Sequence, residues 1–134
     1  MADTRTPAQR RRIMQSVGTK NTLPEKTVRR IIHALGFRFR LHRRDLPGTP
    51  DIVLPRLRKV VFVNGCFWHG HRNCKKGALP KSRPEYWGPK IARNIQRDVE
   101  VRAKLKAAGW DALTVWQCET ANPDRVRRRL KDFL

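Results

Sequence analysis

The apolar positions of this chain change their period several times, and each change marks an element. Thr6 and Pro7 suit an N-cap and a first helical position, which predicts a short, very basic helix over residues 7–17 that ends near Gly18. From Thr22, Pro24 and Glu25 a clearer helix opens, with Val28, Ile31, Ile32 and Leu35 at i, i+3, i+4 and i+7 and Gly36 as its stop. Residues 37–42, FRFRLH, alternate apolar and basic side chains as a half-exposed strand does. After the turn DLPGTP, residues 51–54 read as a second strand, 55–58 as a turn, and 60–63 as a third strand buried on both faces. Pro89 is expected to open a long helix that carries Ile91, Ile95, Val99, Val101 and Leu105 as far as Gly109. Residues 110–117 form a further strand, with Trp110 and Trp116 assigned to the core, and Asn122-Pro123 starts a last helix with Val126, Leu130 and Phe133.

This order is α, α, β, β, β, loop, α, β, α within 134 residues. It predicts an α/β fold with a mixed central sheet flanked by helices. The length suits a single domain over residues 21–134, preceded by a basic arm over residues 1–20 that is placed to contact DNA. The formal net charge is +20, from 31 Lys and Arg against 11 Asp and Glu, so the chain needs an anionic partner, and nucleic acid leads. No apolar stretch has the length of a membrane span, and the basic runs lack a lipid anchor, so no membrane partner is expected. The expected location is the cytoplasm, where three cysteines at close spacing read better as metal ligands than as a disulfide framework.

Chemistry concentrates in residues 59–74, KVVFVNGCFWHGHRNC, where a strand runs straight into a loop rich in Cys and His. Cys66, His71 and Cys74, completed by the distant Cys118, make a Cys3His set with the composition of a closed structural Zn2+ site. That assignment requires the fold to bring Cys118 close, and its place at the end of a strand bordering the third would do so. The competing reading is three reduced cysteines acting as small apolar residues, and by spacing alone His69 fits as a zinc ligand as well as His71 does. Phe67 and Trp68 sit between the candidate ligands with nothing obvious in the sequence to bury them.

Asp51 opens the second strand, and Glu25 lies in the first turn of the helix before it. Helix, three strands, helix, strand, with an acid at the start of the second strand, is the outline of the PD-(D/E)XK nuclease core. The usual Asp/Glu-x-Lys of the next strand is missing, because Phe62, Val63 and Asn64 stand there. Each acid also has a plainer use: Glu25 completes a Thr22-x-x-Glu25 capping box, and Asp51 ends a turn.

The segments KNT-x-x-E, PG-x-PD, VNGCFWH-x-H followed by Cys, Tyr86-Trp87 to Lys90 with Asn94 and Asp98, and GW-x-x-x-x-VW-x-C together resemble the very short patch repair endonucleases, which nick DNA at T:G mismatches. The resemblance runs from about residue 8 to 134 and implies a restriction-endonuclease-like core. It implies a catalytic Mg2+ held by Asp51 and the main-chain carbonyl of Val63, with Glu25 reaching the ion through water. It implies His69 as base or proton relay at the attacked phosphate. The family has a histidine where this chain has Asn64, paired with an aspartate matching Asp98. Phe67, Trp68 and Trp87 match aromatics that wedge beside the mismatch from the major groove, and Met14 and Val17 match residues that enter from the minor groove. Lys90 and Asn94 match residues that read the bases.

The implied partner is duplex DNA with a T:G mismatch, nicked 5′ to the thymine on the bacterial nucleoid to leave 3′-hydroxyl and 5′-phosphate ends. Recruitment of a mismatch-repair protein fits the family. An asymmetric mismatch gives no reason for two-fold symmetry, so a monomer is expected. Two other readings stay open on the residues alone: a non-catalytic, zinc-stabilised DNA-binding module, and a nuclease of the same fold with another lesion or site.

Overall fold

The computed structural model describes residues 22–71, 74 and 84–134. The expected basic helix over 7–17, with Met14 and Val17, lies outside the described residues. Thr22 Oγ1 accepts the Glu25 N–H at 3.3 Å and caps helix α1, Leu23–Ala34, whose buried stripe contains Val28 and Ile32. A four-stranded mixed sheet follows in the order β1 (Arg40–Leu41), β2 (Ile52–Leu54), β3 (Lys59–Asn64), β4 (Asp111–Trp116). The first two pairings are antiparallel and β3–β4 is parallel. Helix α2, Pro84–Ala107, makes the crossover to β4. A 3-10 turn, Gln117–Ala121, then leads to α3, Pro123–Phe133, whose N-cap Asn122 accepts the Arg125 N–H.

The pleat of the sheet divides the core into two faces. Ile52, Leu54, Val61 and Val115 join Val28 and Ile32 of α1 and Val126 and Leu130 of α3. Val53 and Val60 point the other way and pack with Leu105 of α2. The layers are therefore α1 with α3, sheet, and α2, and β3 is covered on both sides as its apolar run predicts.

Three expectations need correction. The strand over 37–42 is reduced to Arg40–Leu41: Phe37 and Phe39 do pack on the core, but His42 has φ +48 and ends the extended run. Helix α2 opens at Pro84, five residues before Pro89, because Tyr86 and Trp87 gain aromatic partners there and the turns ahead of Pro89 can form. Ile95 and Val99 are 41% and 47% exposed, because the sheet meets α2 chiefly through Val101 and Leu105 while its N-terminal half carries the Cys/His loop. Gly70 sits where that loop crosses α2, and a Cβ there would lie 2.6 Å from Ile95 Cδ1, in addition to the strain of its φ of +58.

Candidate active site and metal centre

Because β3 and β4 run parallel with Asn64 opposite Trp116, both strands end together. Cys66 and Cys118, each two residues further on, emerge side by side. The ligand atoms of Cys66, His71, Cys74 and Cys118 all lie within 4.8 Å of one another. His71 Nδ1 is 3.4 Å from Cys118 Sγ, close to the roughly 3.6 Å edge that sulfur and nitrogen ligands span in a tetrahedral site. The Cys118 N–H donates to Cys66 Sγ at 3.4 Å, a contact that suits a sulfur carrying negative charge. Burial pushes the Cys66 thiol up to about 12, so a bound cation is what would make its thiolate affordable. The donor set fits a thiolate-binding metal.

Two further side chains brace this cluster, and sequence reasoning did not assign them to it. The Trp116 ring stacks on His71 at 4.1 Å and 9°, which fixes the plane of the imidazole. Trp116 is thus half-buried beside the loop, contrary to its assignment to the core, whereas Trp110 does pack on the α2 face of the core. Gln117 Oε1 accepts the Cys66 N–H at 3.4 Å. Among the described residues His71, and not His69, joins the cysteines.

His69 has another partner. Its Nδ1 donates to Asp98 Oδ2 of α2 at 2.6 Å. A carboxylate only accepts, so Nδ1 carries the proton of this bond, which fixes the ring and leaves Nε2 as the nitrogen not engaged by Asp98. The His69 side chain remains 29% exposed, open to a substrate. Asn64 is buried at the end of β3, and it lines one shallow depression with Asp98, Phe62 and Thr114.

On the other side of β3, Asp51 Oδ2 accepts the Val63 N–H at 2.7 Å. Contact between these two residues runs through the Val63 amide. Glu25, 1% exposed, turns its carboxylate inward, where His42 Nε2 donates to Oε1 at 2.6 Å and Arg29 Nη2 to Oε2 at 2.8 Å. Ligand atoms of Glu25, His42 and Asp51 lie within 4.8 Å of one another. His42 was not singled out in the sequence, where it reads as the last polar position of the alternating run FRFRLH.

The acid pair and the histidine share one end of the sheet. Asp51 is anchored on the Val63 N–H, and the His69 N–H donates to the Gly65 carbonyl at 3.2 Å. Those anchors are two residues apart on one chain, at most about 7 Å.

Burial, partly opposed by the Val63 N–H, pushes the Asp51 carboxyl up to about 7; the neighbouring Glu25 adds to the rise and Arg29 counters it. A folded-state value above the unfolded one means that protonation favours the fold. The contribution is complete below about pH 4 and is lost as the pH rises toward 7. The metal-free protein is expected to lose roughly 2–4 kcal/mol of stability from this group across that window. Urea denaturation in EDTA, comparing the native chain with Asp51→Asn, checks this. Asparagine still accepts from Val63 but does not titrate, and identical pH profiles would refute the assignment.

The aromatics of the loop are not without partners. Phe67 and Trp68 meet each other edge-to-face at 5.3 Å, and both meet Trp87 of α2, at 5.2 and 5.8 Å. Trp87, 6% exposed, is the floor of this cluster, with Phe67 and Trp68 half-buried above it. Lys90 Nζ lies 5.3 Å from the Trp68 ring and 5.8 Å from that of Trp87. Asn94 Nδ2 donates to the Trp68 carbonyl at 3.0 Å. One face of α2 thus holds the loop in place.

Comparison with known proteins shows the family of the chain. A family model described as DNA mismatch endonuclease Vsr matches residues 2–76. A Xanthomonas oryzae pv. oryzae protein named Type II nicking enzyme V.XorIIP is 54% identical over 134 residues, covering all of this chain and 98% of its own length. The Neisseria meningitidis protein named Type II nicking enzyme V.NmeAIP is 40% identical, over 97% of this chain and 92% of its own. An Escherichia coli protein named DNA mismatch endonuclease Vsr is 34% identical, over all of this chain and 88% of its own. No helix among the described residues is long and apolar enough to cross a membrane.

Proposed function

The chain belongs to the DNA mismatch endonuclease Vsr family and is a DNA-cleaving hydrolase; from that premise we propose that it nicks one strand of duplex DNA 5′ to the thymine of a T:G mismatch, on a PD-(D/E)XK-type core, with Mg2+ at the acid pair and Zn2+ at the Cys3His cluster. The observation that carries this reading is the buried Glu25 beside the half-buried Asp51 at the end of the sheet from which the His69 loop departs. The missing Asp/Glu-x-Lys is then offset by Glu25 from α1 and by the main-chain carbonyl of Val63.

When bound, Mg2+ supplies charge stabilisation at the scissile phosphate. The remaining work falls to side chains. Asp51 provides a hard oxygen ligand from a half-buried position, and the buried Glu25, held by Arg29 and His42, reaches the ion through water. His69 takes a proton from the attacking water at Nε2, while Asp98 holds its Nδ1–H and stabilises the imidazolium that results. Asn64, beside Asp98, is able to orient a water or a phosphate oxygen by hydrogen bonding but does not take the proton. Phe67 and Trp68, carried on Trp87, enter the base stack, and Lys90 and Asn94 face the opened bases. The basic arm with Met14 and Val17 grips the duplex from the minor groove. Apolar wedges cost a few kcal/mol of unstacking, and a T:G wobble opens more readily than a matched pair. The enzyme acts as a monomer in the cytoplasm and hands its nick to mismatch repair.

A panel of duplexes carrying T:G, T:A, C:G and other mismatches, incubated with Mg2+ or EDTA, tests this. The expected result is a single Mg2+-dependent nick, with T:G preferred over T:A by roughly tenfold to hundredfold, the worth of about 1–3 kcal/mol per mismatched pair. Trp68→Ala should narrow that ratio more than it weakens overall binding. Cleavage in EDTA, or equal cleavage of T:A, would overturn the reading.

A further inference from the structure

A buried carboxylate keeps one orientation only when its oxygens have fixed partners. Glu25 has such a partner on each oxygen: Arg29, one turn along α1, on Oε2, and His42, from the residue after β1, on Oε1. His42 is itself held. Its backbone N–H donates to the Asp51 carbonyl at 3.2 Å, its φ of +48 departs from the extended run of β1, and its side chain is 15% exposed. One residue therefore ties the two acids together, Asp51 through its backbone and Glu25 through its ring.

We propose that His42 is a positioning residue of the nicking centre, clamping the Glu25 carboxylate beside Asp51 so that the pair presents a prearranged geometry to a divalent cation. This rests on the reading of Asp51 and Glu25 as the cation site. Without the clamp Arg29 still holds Oε2 but Oε1 loses its His42 anchor, and the freedom so regained has to be lost again whenever a cation is captured. Direct ligation by the ring fits less well, because imidazole suits transition metals better than Mg2+ and Nε2 already faces Glu25.

Two substitutions separate reach from bulk. The amide nitrogen of glutamine arrives near the position of the histidine Nε2, whereas that of asparagine stops near Nδ1. Asparagine is also among the side chains best suited to a positive φ, so His42→Asn should fold. In His42→Asn the Mg2+ concentration for half-maximal nicking is expected to rise about tenfold, the usual cost of losing a partner behind a metal ligand, with KM for the duplex little changed. The rise in Tm that Mg2+ causes in the zinc-loaded, DNA-free protein should need correspondingly more Mg2+. His42→Gln should recover most of both losses.

Asp51→Ala keeps the two ideas apart. If the Tm response to Mg2+ survives in Asp51→Ala, the cation-site reading falls. If it vanishes there but His42→Asn responds like the native chain, only the role of His42 is overturned. Equal losses in His42→Asn and His42→Gln would also overturn it, since hydrogen-bond reach would then not be the cause.

Discussion

Asp51→Ala is expected to abolish nicking while leaving mismatch binding largely intact. Asp51 is the one acid of the pair that also grips β3, through the Val63 N–H at 2.7 Å. Its removal takes away the proposed direct oxygen ligand and leaves Glu25, already engaged by His42 and Arg29, as the one remaining acid of the pair. A loss of at least about 1000-fold in the single-turnover rate is expected, equivalent to roughly 4 kcal/mol of transition-state stabilisation. In the proposed reading binding draws instead on the strongly positive net charge, which the loss of Asp51 only increases, and on the aromatic cluster, which does not include Asp51. Fluorescence anisotropy with a T:G duplex in Ca2+, alongside the nicking assay, separates the two effects. A variant that nicks within tenfold of the native rate would remove Asp51 from the metal site.

Cys118→Ser should cause the next largest loss by a different route. Cys118 brings Sγ to the Cys/His cluster, so the substitution removes a thiolate donor where the ends of β3 and β4 meet, while the backbone N–H that donates to Cys66 Sγ is kept. Bound zinc, measured in the purified protein, should fall from one equivalent toward zero. The two-faced core of α1, α2, α3 and the sheet needs none of these ligands, so far-UV circular dichroism should change little. The loop that carries Phe67, Trp68 and His69 loses its brace, and displacement of a reacting group by about 1 Å costs on the order of 100-fold in rate. A zinc-free variant with native nicking and native T:G preference would refute a structural metal here.

Local pattern made much of this architecture legible. The i, i+3, i+4, i+7 stripe of α1, the apolar run of β3 and the Asn-Pro start of α3 all depend on near neighbours in the chain, and the structure follows them. The Cys/His cluster was legible because thiolates and imidazole at close spacing have few uses besides holding a metal, and the parallel register of β3 and β4 delivers Cys118 as its position after a strand suggests. The pairing of His69 with Asp98 was not: nothing in the spacing relates a loop residue to one 29 positions later in a helix. Asp98 read equally well as a solvated helix charge, and the family pattern pointed to position 64 as its partner.

What the chain determined by itself was the set of elements from α1 to α3, the basic character that calls for an anionic partner and the stock of candidate metal ligands, because propensity, periodicity and charge act locally or as sums. Tertiary structure decided which histidine serves which partner, how Glu25 is clamped by His42, and why Trp116 stands beside the metal cluster instead of in the core. It also extended α2 back past Pro89 onto an aromatic cluster. The physical reason is common to these cases: a buried hydrogen bond or ring stack is selected by whichever partners the sheet and crossover bring within reach, and that geometry follows from packing the whole chain.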